Sequence, residues 1–573
     1  MKKKNRDNSS ANGDGVNRRE FIGTTLAGGA ALFAGGLGTL VPRAASAVSA
    51  SWIEATIPEL QALMNSGALT SEQLTLNYLS QIANFNPLLH AVIETNPDAL
   101  AIATERDSER ESGHLRGPLH GIPVLVKDNL ATADKMQTTA GSLALVGSTV
   151  PADSIVVNRL RAAGAVILGK ANLSEWANFR GNAPFNGWSA RGGFTRDPYL
   201  LSFDPCGSSS GSGAAPAANL CATAVGTETD GSVVCPSGNN LVFGLKPTVG
   251  LVSQDGIIPI AHSQDTAGPM CRSVTDVAIM LGVMQSPFGP VSGQSVPSDY
   301  TQFLNLGSLQ GARIGIDSRY FSFAYGGEHD LVKVAKKGLD AMQGLGAKLV
   351  PTDTGNPARQ NFKFYNDEFT VLLYEFKVQI AQYLAGLSNT SMHTLADLIA
   401  FDIAHCSEEM KYFGQEVFEL AQQTSGNLND PAYLSARADN LMFARTNGID
   451  AALKRDNLDA IVAPTYSFAS SLPAVAGYPN LSIPVGLTPQ GKPAGLWMYS
   501  GFLKEPTLLA LAYDLEQAIK PRTQPGLRGS VPPEPPDAGV CATLATGMAI
   551  RPQLINGKAQ ISRHLGTGKP LSP

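Results

Sequence analysis

The sequence predicts an α/β protein built as one large domain. Three observations carry this reading. Short, wholly apolar stretches alternate with amphipathic stretches of helical period; the apolar stretches are rich in Val, Ile and Leu; and no internal repeat or long linker interrupts the chain before residue 520. Apolar strands without polar alternation imply a sheet covered by helices on both faces.

The elements follow in order. Thr70 and Gln73 make a capping box ahead of Leu74, Tyr78 and Ile82, whose i, i+4, i+8 spacing places them on one face of a helix. The run IPVLV at 122–126 reads as a buried strand leading into Lys127. Val156, Leu160 and Ala163 mark a helix that stops at Gly164 and gives way directly to the strand AVILG. The pattern returns in ARIGID at 312–317, a helix over about 330–345 closed by Gly346, and the strand AKLV. Residues 285–450 are mostly helical in pattern and hold the aromatic run Phe362, Phe364, Tyr365, Phe369, Tyr374 and Phe376. Aromatics at helical spacing are ordinarily core; lining a substrate pocket is the alternative. Six prolines between 520 and 536 predict a surface-hugging or polyproline segment.

The N-terminus carries Arg18 and Arg19 ahead of an uncharged, Gly/Ala-rich stretch, 21–42, that ends in ASA at 45–47. This is the pattern of a twin-arginine export signal cleaved after Ala47, which would leave a periplasmic or secreted protein without a membrane anchor. The expected organisation is thus a signal at 1–47, the large domain at 48–520 and a Pro-rich extension at 521–573. A net charge of −5 and a pI near 6.0 give no basic footprint, which excludes nucleic acid as a partner class. Six cysteines, Cys206, Cys221, Cys235, Cys271, Cys406 and Cys541, show no zinc-ligand spacing. A bridge between Cys206 and Cys235 is one reading. Export in a folded state from a reducing cytoplasm favours the other, in which all six are small buried hydrophobes.

The chemistry sits in three pieces: GIPVLVKDN at 121–129, CGSSSGSG at 206–213 and TETDGS at 227–232. Amide cleavage by a serine needs a base, a proton path and backbone N–H donors facing the oxyanion. Gly231 lets the TDGS segment adopt positive φ, so that the N–H groups of Thr229, Asp230, Gly231 and Ser232 converge on one oxygen; Ser232 is then the nucleophile. The glycine-crowded turn at 207–213 holds Ser208 as relay between Ser232 and a lysine. Lys127 lies in an apolar run, so burial draws its pKa down from about 10.4 towards neutrality. A fall of roughly three units raises the neutral fraction near pH 7 about a thousandfold and costs about 4 kcal/mol, which only a large core can sustain. Ser209 is placed to support Lys127, and Thr227 to orient Ser232 or the relay. No metal or cofactor is needed.

These segments, with AGAVILGKANLSEWANFR at 163–180, SQDTAGPM at 263–270 and DAIVAPT at 459–465, resemble the amidase signature family of hydrolases over roughly 53–518. The resemblance implies a mixed, twisted sheet and a Ser-Ser-Lys triad on Lys127, Ser208 and Ser232, with oxyanion donors at Thr229, Asp230, Gly231 and Ser232. It also implies a cis peptide bond at the bridging serine. The ETDGS variant, VLLYEFK at 371–377 and GWSARGG at 187–193 are most similar to the peptide amidase branch, whose members release ammonia from the C-terminal amide of peptides. The expected partner is therefore a small-molecule or peptide amide substrate.

Two other readings compete. GSSSG at 207–211 matches G-x-S-x-G, which would make Ser209 the nucleophile of an α/β-hydrolase elbow with a later Asp and His. The residues before it, TRDPYLLSFDPC, read as loop where an elbow needs a strand. A non-catalytic periplasmic binding protein on the same fold is the second, and ammonia release separates it from an enzyme. His120 and His262 border the motifs but read as structural hydrogen-bonders, and Asp265 as a loop-fixing residue rather than a base.

Overall fold

The capping box is formed as read. Thr70 accepts from the Gln73 N–H and starts the helix Ser71–Leu89, which buries Leu74, Tyr78 and Ile82. The helix Ile155–Ala162 runs into strand 166–171, and the helix His329–Gly344 lies between strands 313–316 and 348–351. The computed structural model describes residues 51–322, 329–355, 362–546 and 553–558; the export signal and its cleavage position lie outside them.

Thirteen strands are present among the described residues: β1 (Val92–Thr95), β2 (Pro123–Lys127), β3 (Val166–Ala171), β4 (Trp188–Ser189), β5 (Gly193–Phe194), β6 (Thr223–Glu228), β7 (Phe243–Lys246), β8 (Thr266–Cys271), β9 (Arg313–Ile316), β10 (Lys348–Pro351), β11 (Ala460–Pro464), β12 (Asn480–Leu487) and β13 (Pro493–Tyr499). Strands β4 and β5 form a small hairpin, and the other eleven form one sheet in the order β1-β3-β2-β6-β8-β7-β12-β13-β11-β9-β10. The sheet is mixed. β2 pairs in parallel with β3 and β6, and β9 with β10 and β11, while the remaining pairs are antiparallel. Every residue of β2, β3, β6 and β8 is buried, as a sheet covered on both faces requires. The described residues from 51 onwards form one compact unit.

The aromatic run joins the core. On the helix Phe362–Ala385, Phe364, Phe369, Tyr374 and Phe376 are buried, and Phe376 stacks on Phe418 with ring centroids 5.3 Å apart. The Pro-rich segment hugs the surface: Leu527 N–H donates to Pro198 O at 3.0 Å, and Arg522 pairs with Glu54 at 2.8 Å.

The cysteines depart from the reduced reading. Cys206 is bonded to Cys235 and Cys406 to Cys541, with Cα separations of 5.9 and 5.7 Å, inside the range a disulfide spans. Only Cys221 and Cys271 remain as thiols among the described residues, both buried. The Cys206–Cys235 bond is the bridge that the sequence offers as the alternative, whereas Cys406 and Cys541 lie 135 residues apart, a proximity that sequence spacing does not display.

Candidate active site

Neighbouring strands β2 and β6 end on the same side and carry the first components. Lys127, the last residue of β2, is fully buried beneath the segment that follows residue 205. Its Nζ donates to Ser208 Oγ at 2.8 Å, Thr227 Oγ1 at 2.9 Å, Ser209 Oγ at 3.0 Å and Thr227 O at 3.2 Å. Every one of those partners is a neutral oxygen. Burial therefore dominates and lowers the ammonium pKa to about 7, against the upward pull of the more distant Asp265 and Glu228 carboxylates.

Ser208 is buried and follows a cis Gly207–Ser208 peptide bond. The helix Ser210–Ala217 begins two residues later, and its glycines allow the close approach read from the sequence. A Cβ at Gly211 would collide with the carbonyl of Ala91 and the main chain of Asn172. Ser209 is no elbow nucleophile. It is buried, donates to Thr227 O at 3.0 Å and accepts from Thr227 N at 3.2 Å, and no strand leads into it. Thr227 also accepts from Asn129 Nδ2 at 3.0 Å. Both Ser209 and Thr227 thus lie directly against Lys127.

Gly231 takes φ of 78°, turning the chain between β6 and the short helix Val234–Asn239. Across this turn Glu228 Oε2 accepts from the N–H groups of Val233 and Val234 at 2.7 and 2.9 Å. Among the described residues, the N–H groups of Thr229, Asp230, Gly231 and Ser232 donate to no protein acceptor. Ser232 is 8% exposed, and its main-chain carbonyl accepts from Ser209 N–H at 3.2 Å. The two serine segments therefore touch through the backbone, whereas no hydrogen bond joins Ser208 Oγ to Ser232 Oγ among the described residues.

Asp265 fixes loops, as expected. It accepts from Thr229 Oγ1 at 2.6 Å, Ile260 N at 2.8 Å and Ala261 N at 2.9 Å, and burial raises its pKa to about 7. Beside it a pocket is lined by Asn129, Thr229, Gln254, Ile258, Ile260 and His262. His120 is buried away from these groups, with Nε2 at 2.8 Å from Arg106 O. His262 is held through its backbone, its N–H donating to Gln379 Oε1 at 2.8 Å.

Several contributors escaped sequence reasoning. Asn129 had a local signal, two positions after Lys127, as did Glu228, four before Ser232. Gln264 had none: it ties Thr229 O at 3.3 Å to Glu368 Oε1 at 3.0 Å, across more than a hundred residues of chain.

A buried amine titrating near neutrality, bonded to a serine hydroxyl and adjoining a second serine flanked by unused N–H donors, is equipped for general-base and nucleophilic chemistry. Comparison with known proteins gives the family. A family model described as Amidase matches residues 73–509. A probable amidase of Arabidopsis thaliana is 40% identical over 482 residues, spanning 82% of this chain and 91% of the relative. The crystal structure of native peptide amidase from Stenotrophomonas maltophilia superposes with a TM-score of 0.78 at 47% identity, covering 83% of this chain and 99% of that one. A structure of the peptide amidase PAM with the competitive inhibitor chymostatin gives a TM-score of 0.77, again at 47% identity, with coverage of 83% and 99%. With this fold and these relatives, the chain belongs to the amidase signature family, hydrolases of amide C–N bonds.

Proposed function

We propose that this amidohydrolase removes ammonia from the C-terminal carboxamide of peptides by a Ser-Ser-Lys mechanism. The observation that carries the mechanism is the 2.8 Å hydrogen bond from Lys127 Nζ to Ser208 Oγ, made by an amine whose pKa lies at about 7. Neutral Lys127 takes a proton from Ser208 as Ser208 takes one from Ser232. Ser232 Oγ then attacks the amide carbon, and the oxyanion is received by the N–H groups at 229–232. The C–N bond breaks as the proton returns through Ser208 to the leaving nitrogen. Water attacks the resulting ester, giving the acid and free Ser232. Ser232 must first turn its hydroxyl towards Ser208, a link that often tightens only with substrate in place.

The peptide amide assignment is supported by likeness to peptide amidase, including the form complexed with chymostatin. A panel of peptide amides, fatty amides and aryl amides tests it. Ammonia release should be fastest from peptide amides and should fall by more than about 10⁴-fold in Ser232→Ala. Preference for another amide class defeats the substrate assignment, and an active Ser232→Ala defeats the mechanism.

Export through the twin-arginine route completes the proposal. The route is supported by the Arg18-Arg19 segment; the two disulfides support an oxidising compartment and do not bear on the route. Replacing both arginines by lysine should retain the protein in the cytoplasmic fraction; unchanged export would reject this route.

A further inference from the structure

The Cys206–Cys235 disulfide lies where the two serine segments meet. Cys206 is two residues before Ser208 and Cys235 three after Ser232, in the first turn of the helix Val234–Asn239. Cys206 has φ of 55°, its N–H donates to Asp204 Oδ1 at 2.8 Å, and its carbonyl accepts from Ser210 Oγ at 2.5 Å. Cys235 N–H donates to Gly231 O at 2.8 Å, so its backbone closes the turn that presents Ser232. One covalent bond thus joins the main chain that shapes the relay serine to the main chain that shapes the nucleophile.

Other ties between these segments lie elsewhere. At the far end of the short helix, Asn239 Nδ2 donates to Asp204 O at 2.8 Å and Asn240 Nδ2 to Pro205 O at 2.9 Å. At the near end, beside Ser232, the non-covalent link is the 3.2 Å hydrogen bond from Ser209 N–H to Ser232 O. Opening the disulfide would leave the asparagine anchors, the Glu228 hold on the Val233 and Val234 N–H groups and the core in place, but would reduce the direct tie between the two serine segments beside Ser232 to that single hydrogen bond. Both cysteines are half-buried, within reach of a small reductant, whereas the free thiols Cys221 and Cys271 are fully buried.

We propose that Cys206 and Cys235 are positioning residues for hydrolysis: their disulfide sets the separation of Ser208 and Ser232, and the enzyme is slow until it forms. This rests on the Ser-Ser-Lys reading. Reduction by dithiothreitol breaks the S–S bond, delivers two electrons and two protons to give two thiols, and converts the dithiol to its cyclic disulfide. A displacement of about 1 Å between reacting groups can cost about 100-fold in rate.

The experiment compares kcat and KM on a peptide amide for the oxidised full chain, the dithiothreitol-treated chain with its thiols mapped by alkylation, Cys206→Ser/Cys235→Ser, and Cys406→Ser/Cys541→Ser. The expected result is a fall in kcat of about 10- to 100-fold, with KM within about threefold, in the double variant at the active site. Circular dichroism should be unchanged, and the Cys406→Ser/Cys541→Ser variant should keep full kcat. In the reduced wild type, kcat should return on reoxidation. A kcat within twofold of wild type in Cys206→Ser/Cys235→Ser overturns the proposal, as does an equal loss in the other double variant. If Cys206→Ser/Cys235→Ser does not fold, reduction decides: reversible loss of kcat with intact dichroism supports positioning, and joint loss of both refutes it. An inactive oxidised wild type would instead sink the peptide-amide assignment on which the proposal rests.

Discussion

Lys127 and Lys170 sit on adjacent strands, Lys170 opposite Val126 in the β2–β3 ladder, and both are fully buried. Their surroundings differ in the number of hydroxyls. Lys127 meets three hydroxyls and one carbonyl; Lys170 donates to Leu130 O at 2.8 Å and Thr138 Oγ1 at 2.9 Å, in the field of Asp128, Asp134 and Glu94. Burial lowers both, Lys127 to about 7 and Lys170 to about 8, with the carboxylates pulling Lys170 back up. Depression by burial is therefore common to both regions. What separates them is the number of hydroxyls: three meet Lys127 and, in the proposed mechanism, lead a proton towards Ser232, whereas Lys170 meets one, and carboxylates act on both from a distance.

Substituting each lysine by methionine breaks the comparison most sharply. Lys127→Met should lose about 10²- to 10⁴-fold in kcat/KM, the usual contribution of a positioned base. Lys170→Met should keep kcat/KM within about tenfold but lose about 1–3 kcal/mol of stability in urea unfolding, because the buried Leu130 O and Thr138 Oγ1 lose their donor. Equal rate losses in the two variants would erase the distinction.

A smaller effect sharpens it. In the proposed mechanism Lys127 acts as the neutral amine, so kcat/KM should climb as pH rises through about 7 and level off above. Ionised Asp265 holds the Lys127 pKa up. Asp265→Asn removes that charge and should move the acid limb to lower pH, by less than about one unit. A limb that stays put or moves to higher pH contradicts the assignment of the limb to Lys127.

Much of this was legible before folding, because the features were local. An ammonium at the end of an uncharged strand, a glycine between Asp230 and Ser232, and a glycine-crowded serine turn each constrain their own backbone. Features made by long-range packing were hidden. Cys406 finds Cys541 only through the surface course of the Pro-rich segment, and Gln264 reaches Glu368 only because the helix Phe362–Ala385 lies against the loop before β8. The aromatic run resolved to core since its rings face Phe179 and Phe418.

Glu228 spans the 229–232 turn, holding two N–H groups just beyond it from a strand just before it. In the proposed hydrolysis, a carbonyl oxygen entering this turn would meet dipoles already oriented by the sheet. Their reorganisation energy was met during folding and adds little to the activation barrier, so tetrahedral mimics should bind far more tightly than the planar amides they resemble.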